Sequence, residues 1–128
     1  MFKIVSIFIV EDDPAAQIIY RDMLKFAGFQ VIDVADNGRD AVNKFESFSE
    51  KPDIILMDHR MPIKNGIEAT KEILEIDNKT KIIFVSADKS VRENALLVGA
   101  ICFKEKPCTY KRLVNNIQKA LKGKIIII

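Results

Sequence analysis

The 128-residue chain has no tryptophan, one histidine, two cysteines, four prolines and five glycines, and its 20 Lys and Arg nearly balance 18 Asp and Glu. Each scarcity excludes something. So little Pro and Gly, beside 48% apolar and 30% charged residues, excludes collagen-like repeats and disordered tethers. Two cysteines, Cys102 and Cys108, cannot staple a disulfide scaffold and point to a reduced, cytoplasmic setting. A formal charge of +2 gives no ground for direct nucleic-acid binding or for attraction to an anionic membrane. The longest apolar stretches, residues 4–10 and 95–103, fall well short of the ~18–20 residues a membrane span needs, so no membrane insertion is expected. The first stretch ends in Glu11-Asp12-Asp13-Pro14 with no small-residue cleavage pattern, and no export signal is read there. A chain of this length supports one domain with one proper core. It is expected at residues 1–122, with residues 123–128 an apolar tail ending in four isoleucines.

Short apolar runs alternate with longer segments of helical periodicity. Strands are expected at residues 5–10, 29–34, 54–57, 81–85 and 100–103, and helices at 14–27, 38–48, 66–76, 90–98 and 109–121. Pro14 opens the first helix and Gly28 closes it. Ile18, Ile19, Met23 and Phe26 are expected to form that helix's apolar face. Strands this apolar must be buried on both faces, which calls for a parallel five-stranded sheet between helices, a three-layer α/β/α arrangement. In such sheets ligands bind beyond the carboxyl ends of the strands.

Polar residues gather at those ends. Strand one ends in Glu11, Asp12 and Asp13, strand three at Asp58 and strand four at Ser86, while Lys106-Pro107 follows strand five. Glu11, Asp12 and Asp58 would place −3 in a small pocket, where like charges raise each other's pKa unless a cation joins them. A divalent ion and Lys106 bring the sum to zero. An all-oxygen ligand set favours Mg²⁺, or Mn²⁺, over a thiolate- or imidazole-seeking metal. A metal, an ammonium and a hydroxyl suit a phosphoryl group, with Asp58 as nucleophile and an aspartyl phosphate as product. His59 is read as a bystander, and Cys102 and Cys108 as a buried small residue and a helix-start residue.

Four segments then occur in order: Val10-Glu11-Asp12-Asp13-Pro14, Met57-Asp58-His59-Arg60-Met61-Pro62 with Gly66, Val85-Ser86-Ala87, and Gly99-Ala100-Ile101-Cys102-Phe103-Lys104-Glu105-Lys106-Pro107. Over about residues 3–122 the chain resembles the receiver domain of two-component response regulators, of the single-domain chemotaxis or sporulation type. The resemblance implies a flavodoxin-like (βα)5 fold with strand order 2-1-3-4-5. It implies that Asp58 takes a phosphoryl group from a sensor histidine kinase or phosphotransfer protein. Asp12, Asp58 and the backbone carbonyl of Arg60 would bind Mg²⁺, with Glu11 acting through water. Lys106 and the backbone N–H groups of His59 and Ala87 would hold the phosphoryl oxygens, and the Lys106-Pro107 bond would be cis. Ser86 and Phe103 would form a switch pair in which the ring turns inward as Ser86 moves toward the phosphoryl group. A cytoplasmic monomer or weak dimer would control a downstream protein through helix four, strand five and helix five.

Two departures stand out. Phe103 lacks the hydroxyl that many relatives carry, and Arg60 and Asp88 stand two residues after Asp58 and Ser86. Their opposite charges lead us to expect a pair across the site opening that slows phosphoryl loss. Two other functions compete. A Mg²⁺-dependent aspartyl-phosphate phosphatase would want a second Asp where Arg60 stands, and a receiver-like binding module would not be phosphorylated at all. The isoleucine tail would pack on the last helix, join a dimer, or mark where a longer protein was cut.

Overall fold

A computed structural model describes residues 3–122; the apolar tail expected at residues 123–128 lies outside them. Elements alternate along the chain as β1 (Ser6–Val10), α1 (Pro14–Phe26), β2 (Gln30–Ala35), α2 (Gly38–Ser47), β3 (Ile54–Met57), α3 (Gly66–Ile76), β4 (Lys81–Ser86), α4 (Arg92–Leu97), β5 (Cys102–Glu105) and α5 (Tyr110–Leu121). All pairings are parallel and the strand order is β2-β1-β3-β4-β5. The expected three-layer α/β/α architecture is the one observed.

Alternation along each strand splits the core in two. Phe8, Val10, Ile55, Met57, Phe84 and Phe103 face one side, where Ala41, Val42 and Phe45 of α2, Ala69 and Ile73 of α3 and Ala95 of α4 cover them. Ile7, Ile9, Ile54, Leu56, Val85 and Cys102 face the other, under Tyr20 and Leu24 of α1 and Leu113, Ile117 and Ala120 of α5. Burying each large side chain contributes about 1.5–3 kcal/mol, so both layers are held mainly by apolar area. Side-chain caps define four helix starts. Asp13, Asn37, Asn65 and Thr109 each accept a hydrogen bond from a first-turn backbone N–H. Gly28, at φ +90°, lets the chain turn out of α1 into β2.

Four expectations are corrected. Ile18, Ile19 and Phe26 do not form the buried face of α1: they are 61%, 52% and 84% exposed, and Tyr20 and Leu24 are buried instead. Two apolar stripes share this helix, and the sheet takes the one that carries the tyrosine. Strand five runs over Cys102–Glu105 rather than 100–103, because ladder bonding continues through charged Lys104 and Glu105 at the sheet edge. The fourth helix is shorter than 90–98: a 3-10 turn at Lys89–Val91 precedes six α-helical residues. Cys108 precedes the cap of α5 and is buried in the α1/α5 core, not a residue of the helix itself.

Candidate functional site

Four segments converge at the carboxyl edge of the sheet. The carboxylate oxygens of Glu11, Asp12 and Asp58 lie within 4.8 Å of one another. Glu11 and Asp58 are buried and Asp12 is exposed, so the cluster opens to water on one side. Asp13 leaves the group to cap α1, its carboxylate accepting from the Ala15 N–H at 3.2 Å. From the far edge Lys106 reaches across 95 residues of sequence. Its Nζ donates to Glu11 Oε1 at 2.6 Å and to Asp58 Oδ2 at 3.3 Å. The Lys106-Pro107 bond is cis, as expected.

Charge explains the arrangement. Burial pushes the Glu11 carboxyl up, and the Lys106 ammonium and the Asp13 N–H draw it partly back. Burial also works against the charge on Lys106, but Glu11 and Asp58 outweigh it and hold the ammonium well above its ordinary value. Lys106 therefore stays protonated throughout the physiological range. Tyr20, which escaped the sequence reading, stands near these groups; burial and the neighbouring carboxylates drive its hydroxyl up to about 12 against the pull of Lys106. Only its place on the less obvious stripe of α1 could have signalled it.

A cleft of about 440 Å³ lies beside the acids, lined by Asp58, Arg60, Ser86, Ala87, Lys89 and Lys106 among others. Ser86 is buried at the end of β4, and its Oγ accepts from the Asp88 N–H at 3.1 Å, leaving its own hydrogen free to donate. The His59 N–H donates to Asp58 Oδ1 at 2.7 Å. The His59 ring takes no part in the cluster, although its Nδ1 is buried without a partner. Arg60 and Asp88 pair as expected, Nε to Oδ2, at 3.1 Å. Phe103 does not line the cleft. It is buried one strand away, stacked on Phe84 with centroids 6.4 Å apart and planes at 25°.

The loop after β3 is tightly set. The Gly66 N–H donates to the His59 carbonyl at 3.0 Å, and a Cβ on Gly66 would sit 2.0 Å from the Asp58 carbonyl oxygen. Glycine is required here for close approach. Lys89 and Ser90 also line the cleft, and no sequence signal marked them.

The donor set fits Mg²⁺: three hard, negatively charged oxygen ligands on one side and open water on the other suit an ion that keeps part of its hydration shell. Among the described residues no helix is long and apolar enough to cross a membrane.

The response regulator receiver domain family matches residues 7–118. The chain is 39% identical over 118 residues to the chemotaxis protein CheY of Thermotoga maritima, covering 91% of this chain and 97% of that protein. It is 38% identical over 117 residues to the CheY of Bacillus subtilis, covering 90% and 96%. Among solved structures, it is similar to the receiver domain of a sensor histidine kinase from Pseudomonas aeruginosa PAO1, which has a magnesium ion coordinated in its active-site cleft. That likeness has a TM-score of 0.84 at 31% identity, over 94% of this chain and 99% of that one. A chain of the CheX–CheY–BeF3–Mg complex from Borrelia burgdorferi superposes with a TM-score of 0.86 at 26% identity, over 91% and 88%. With a sheet of order 2-1-3-4-5, an acidic cluster at its carboxyl edge and these relatives, the chain belongs to the receiver domains of two-component response regulators.

Proposed function

We propose that the domain, residues 1–122, is a phosphorylation-dependent switch whose acceptor is Asp58 and whose phosphodonor is the phosphohistidine of a sensor histidine kinase or phosphotransfer protein. One observation carries this reading: a lysine ammonium joins the buried Glu11 to Asp58 at the wall of an open cleft. An Asp58 carboxylate oxygen attacks phosphorus, the O–P bond forms as the N–P bond breaks, and the electron pair stays on the departing imidazole nitrogen. Lys106 neutralises a phosphoryl oxygen and Ser86 donates its hydroxyl hydrogen, with the N–H groups of His59 and Ala87 as further donors. Glu11, Asp12, Asp58 and the Arg60 carbonyl would hold Mg²⁺, which supplies charge neutralisation at the transferring group.

The new charge, about −2, would draw Ser86 and bias the surface built from α4, β5 and α5. The ring of Phe103 already sits inward in this structure, the position that the switch pair assigns to the phosphorylated state. The protein would serve as a signal carrier that catalyses only its own phosphotransfer and dephosphorylation, as a monomer or weak dimer, controlling a downstream protein. The free, buried Cys102 and Cys108 accord with a reducing cytoplasm. A phosphatase is disfavoured because Arg60, where a general acid would stand, is a permanently charged guanidinium bound to Asp88.

Acetyl phosphate with Mg²⁺ should add one phosphoryl group by intact mass, and the gain should vanish in Asp58→Asn and in EDTA. Labelling that survives Asp58→Asn, or steady turnover of a generic phosphate ester, overturns the assignment.

A further inference from the structure

Lys106 lines two cavities. One is the phosphoacceptor cleft, and the other, of about 410 Å³, lies between α1 and the segment after β5. Ala16, Ile19 and Met23 give this second cavity an apolar wall, to which Asp13 and Tyr20 add polar groups. Tyr20 is only 7% exposed. Its hydroxyl has no hydrogen-bond partner among the described residues, and its polar neighbours on the cavity wall are committed elsewhere. Asp13 accepts from the Ala15 N–H, and the Cys108 thiol turns to the Thr109 carbonyl. The Lys106 ammonium gives two of its three hydrogens to Glu11 and Asp58. A buried phenol left without a partner is costly, so the cavity must supply one. Water held between Tyr20 and Lys106 has the polar partners it needs.

We propose that Tyr20 is a positioning residue for Lys106: through water in this cavity its hydroxyl oxygen holds the third hydrogen of the ammonium and fixes it beside Asp58. This rests on the phosphorylation reading and adds to it a residue that the phosphoryl group never touches.

The need for such a residue follows from the lysine itself. Its stem is flexible and its head is a compact charge with rotatable donors. During phosphotransfer the ammonium must pass from Glu11 to a phosphoryl oxygen, and the second cavity offers it a competing carboxylate, that of Asp13. An acceptor behind the ammonium keeps it turned toward the cleft. The phenol does this without adding a charge, because burial keeps its hydroxyl protonated at neutral pH. Each group also feels the other: Lys106 draws the phenol down, and the phenol oxygen helps to hold the ammonium up. Phenylalanine would fill the same space and leave the water with nothing to hold it.

The test uses the full chain, which has two tyrosines and no tryptophan. In Tyr110→Phe the emission is therefore that of Tyr20 alone. Mg²⁺ with beryllofluoride, a phosphoryl mimic, should change this emission, and adding Lys106→Met should abolish the change. Tyr20→Phe should slow acetyl phosphate labelling at least about threefold in the native chain but less than about 1.5-fold in Lys106→Met, since a residue that acts through another is silent once that other is gone. Urea midpoints are measured on the same preparations, and Tyr20→Phe should stay close to the native value. The emission arm keeps Tyr20 in place, so it decides the matter even where Tyr20→Phe folds poorly. An emission blind to beryllofluoride, native labelling in Tyr20→Phe, or equal slowing in both backgrounds overturns the proposal. Each of these with normal labelling of the native chain sinks the tyrosine's role alone. A native chain that takes no label sinks the acceptor reading, and this proposal with it.

Discussion

The guanidinium of Arg60 donates to the carboxylate of Asp88, Nε to Oδ2, at 3.1 Å, and the two side chains close one side of the cleft that contains Asp58. The pair joins the loop after β3 to the loop after β4. Asp88 is further held by the Ser90 hydroxyl and backbone N–H, and Ser90 with Arg60 keeps its carboxyl below the ordinary range. Exposed pairs of this kind add little to folding stability. We propose that its consequence is positional: lining the cleft beside Asp58, it would stand in the path of a water molecule approaching a phosphorylated carboxylate.

Replacing Arg60 with alanine should therefore shorten the life of the aspartyl phosphate severalfold while leaving the thermal midpoint nearly unchanged. A mass-spectrometric time course after removal of excess phosphodonor measures it. An equal or longer half-life in the variant would contradict a shielding role.

Lys106→Met tests the centre of the site. The substitution leaves Glu11, 1% exposed, beside Asp58 without its cation. Breaking a buried pair from one side costs about 3 kcal/mol. Urea unfolding at neutral pH should show that loss, and acetyl phosphate labelling should fall sharply in the same preparation. Normal labelling would remove Lys106 from the mechanism.

Gly66→Ala should be far more damaging than its size suggests. The new methyl group would meet the Asp58 carbonyl oxygen at 2.0 Å, against backbone that has no rotamer to change. Overpacking of this kind costs about 1–3 kcal/mol. A lowered urea midpoint together with slower phosphorylation is expected, because relief of the clash must move the acceptor residue. Wild-type stability in this variant would show that the loop after β3 is looser than described.

Thiol chemistry supplies a pH-dependent measurement. Burial pushes the Cys102 thiol up to about 11. A raised pKa means less thiolate: at pH 8 about one part in a thousand is ionised, against roughly a quarter for a free cysteine of pKa ~8.5. Alkylation of native Cys102 should be very slow at pH 8, accelerate as the pH rises toward 11, and become rapid at pH 8 once denaturant is added. Fast reaction of the folded protein at pH 8 would contradict the buried placement.

Much of this molecule is readable from residue order. The strands announce themselves as apolar runs, and a polar residue closes or directly follows four of them, which is how Glu11, Asp58, Ser86 and Lys106 could be found before their meeting was seen. What order does not carry is which of two stripes on a helix faces inward. On α1 the aliphatic residues Ile18 and Ile19 point to the wrong one, because Tyr20 and Leu24 are the residues buried against the sheet. Charge misleads at β5 for a related reason. Lys104 and Glu105 look like loop residues, yet an edge strand can carry charge while its backbone stays paired. Nor does spacing reveal the grip of Lys106 on Glu11, since only the folded sheet brings positions 95 apart within 2.6 Å.

Finally, consider how little α4 has of its own. Arg92–Leu97 makes fewer than two turns, begins without a side-chain cap, and is entered through a 3-10 turn rather than a clean start. A helix that short is sustained by what it leans on and not by its internal bonding. On the phosphorylation reading, a covalent event at position 58 should therefore be felt first as a displacement of this weakly anchored corner.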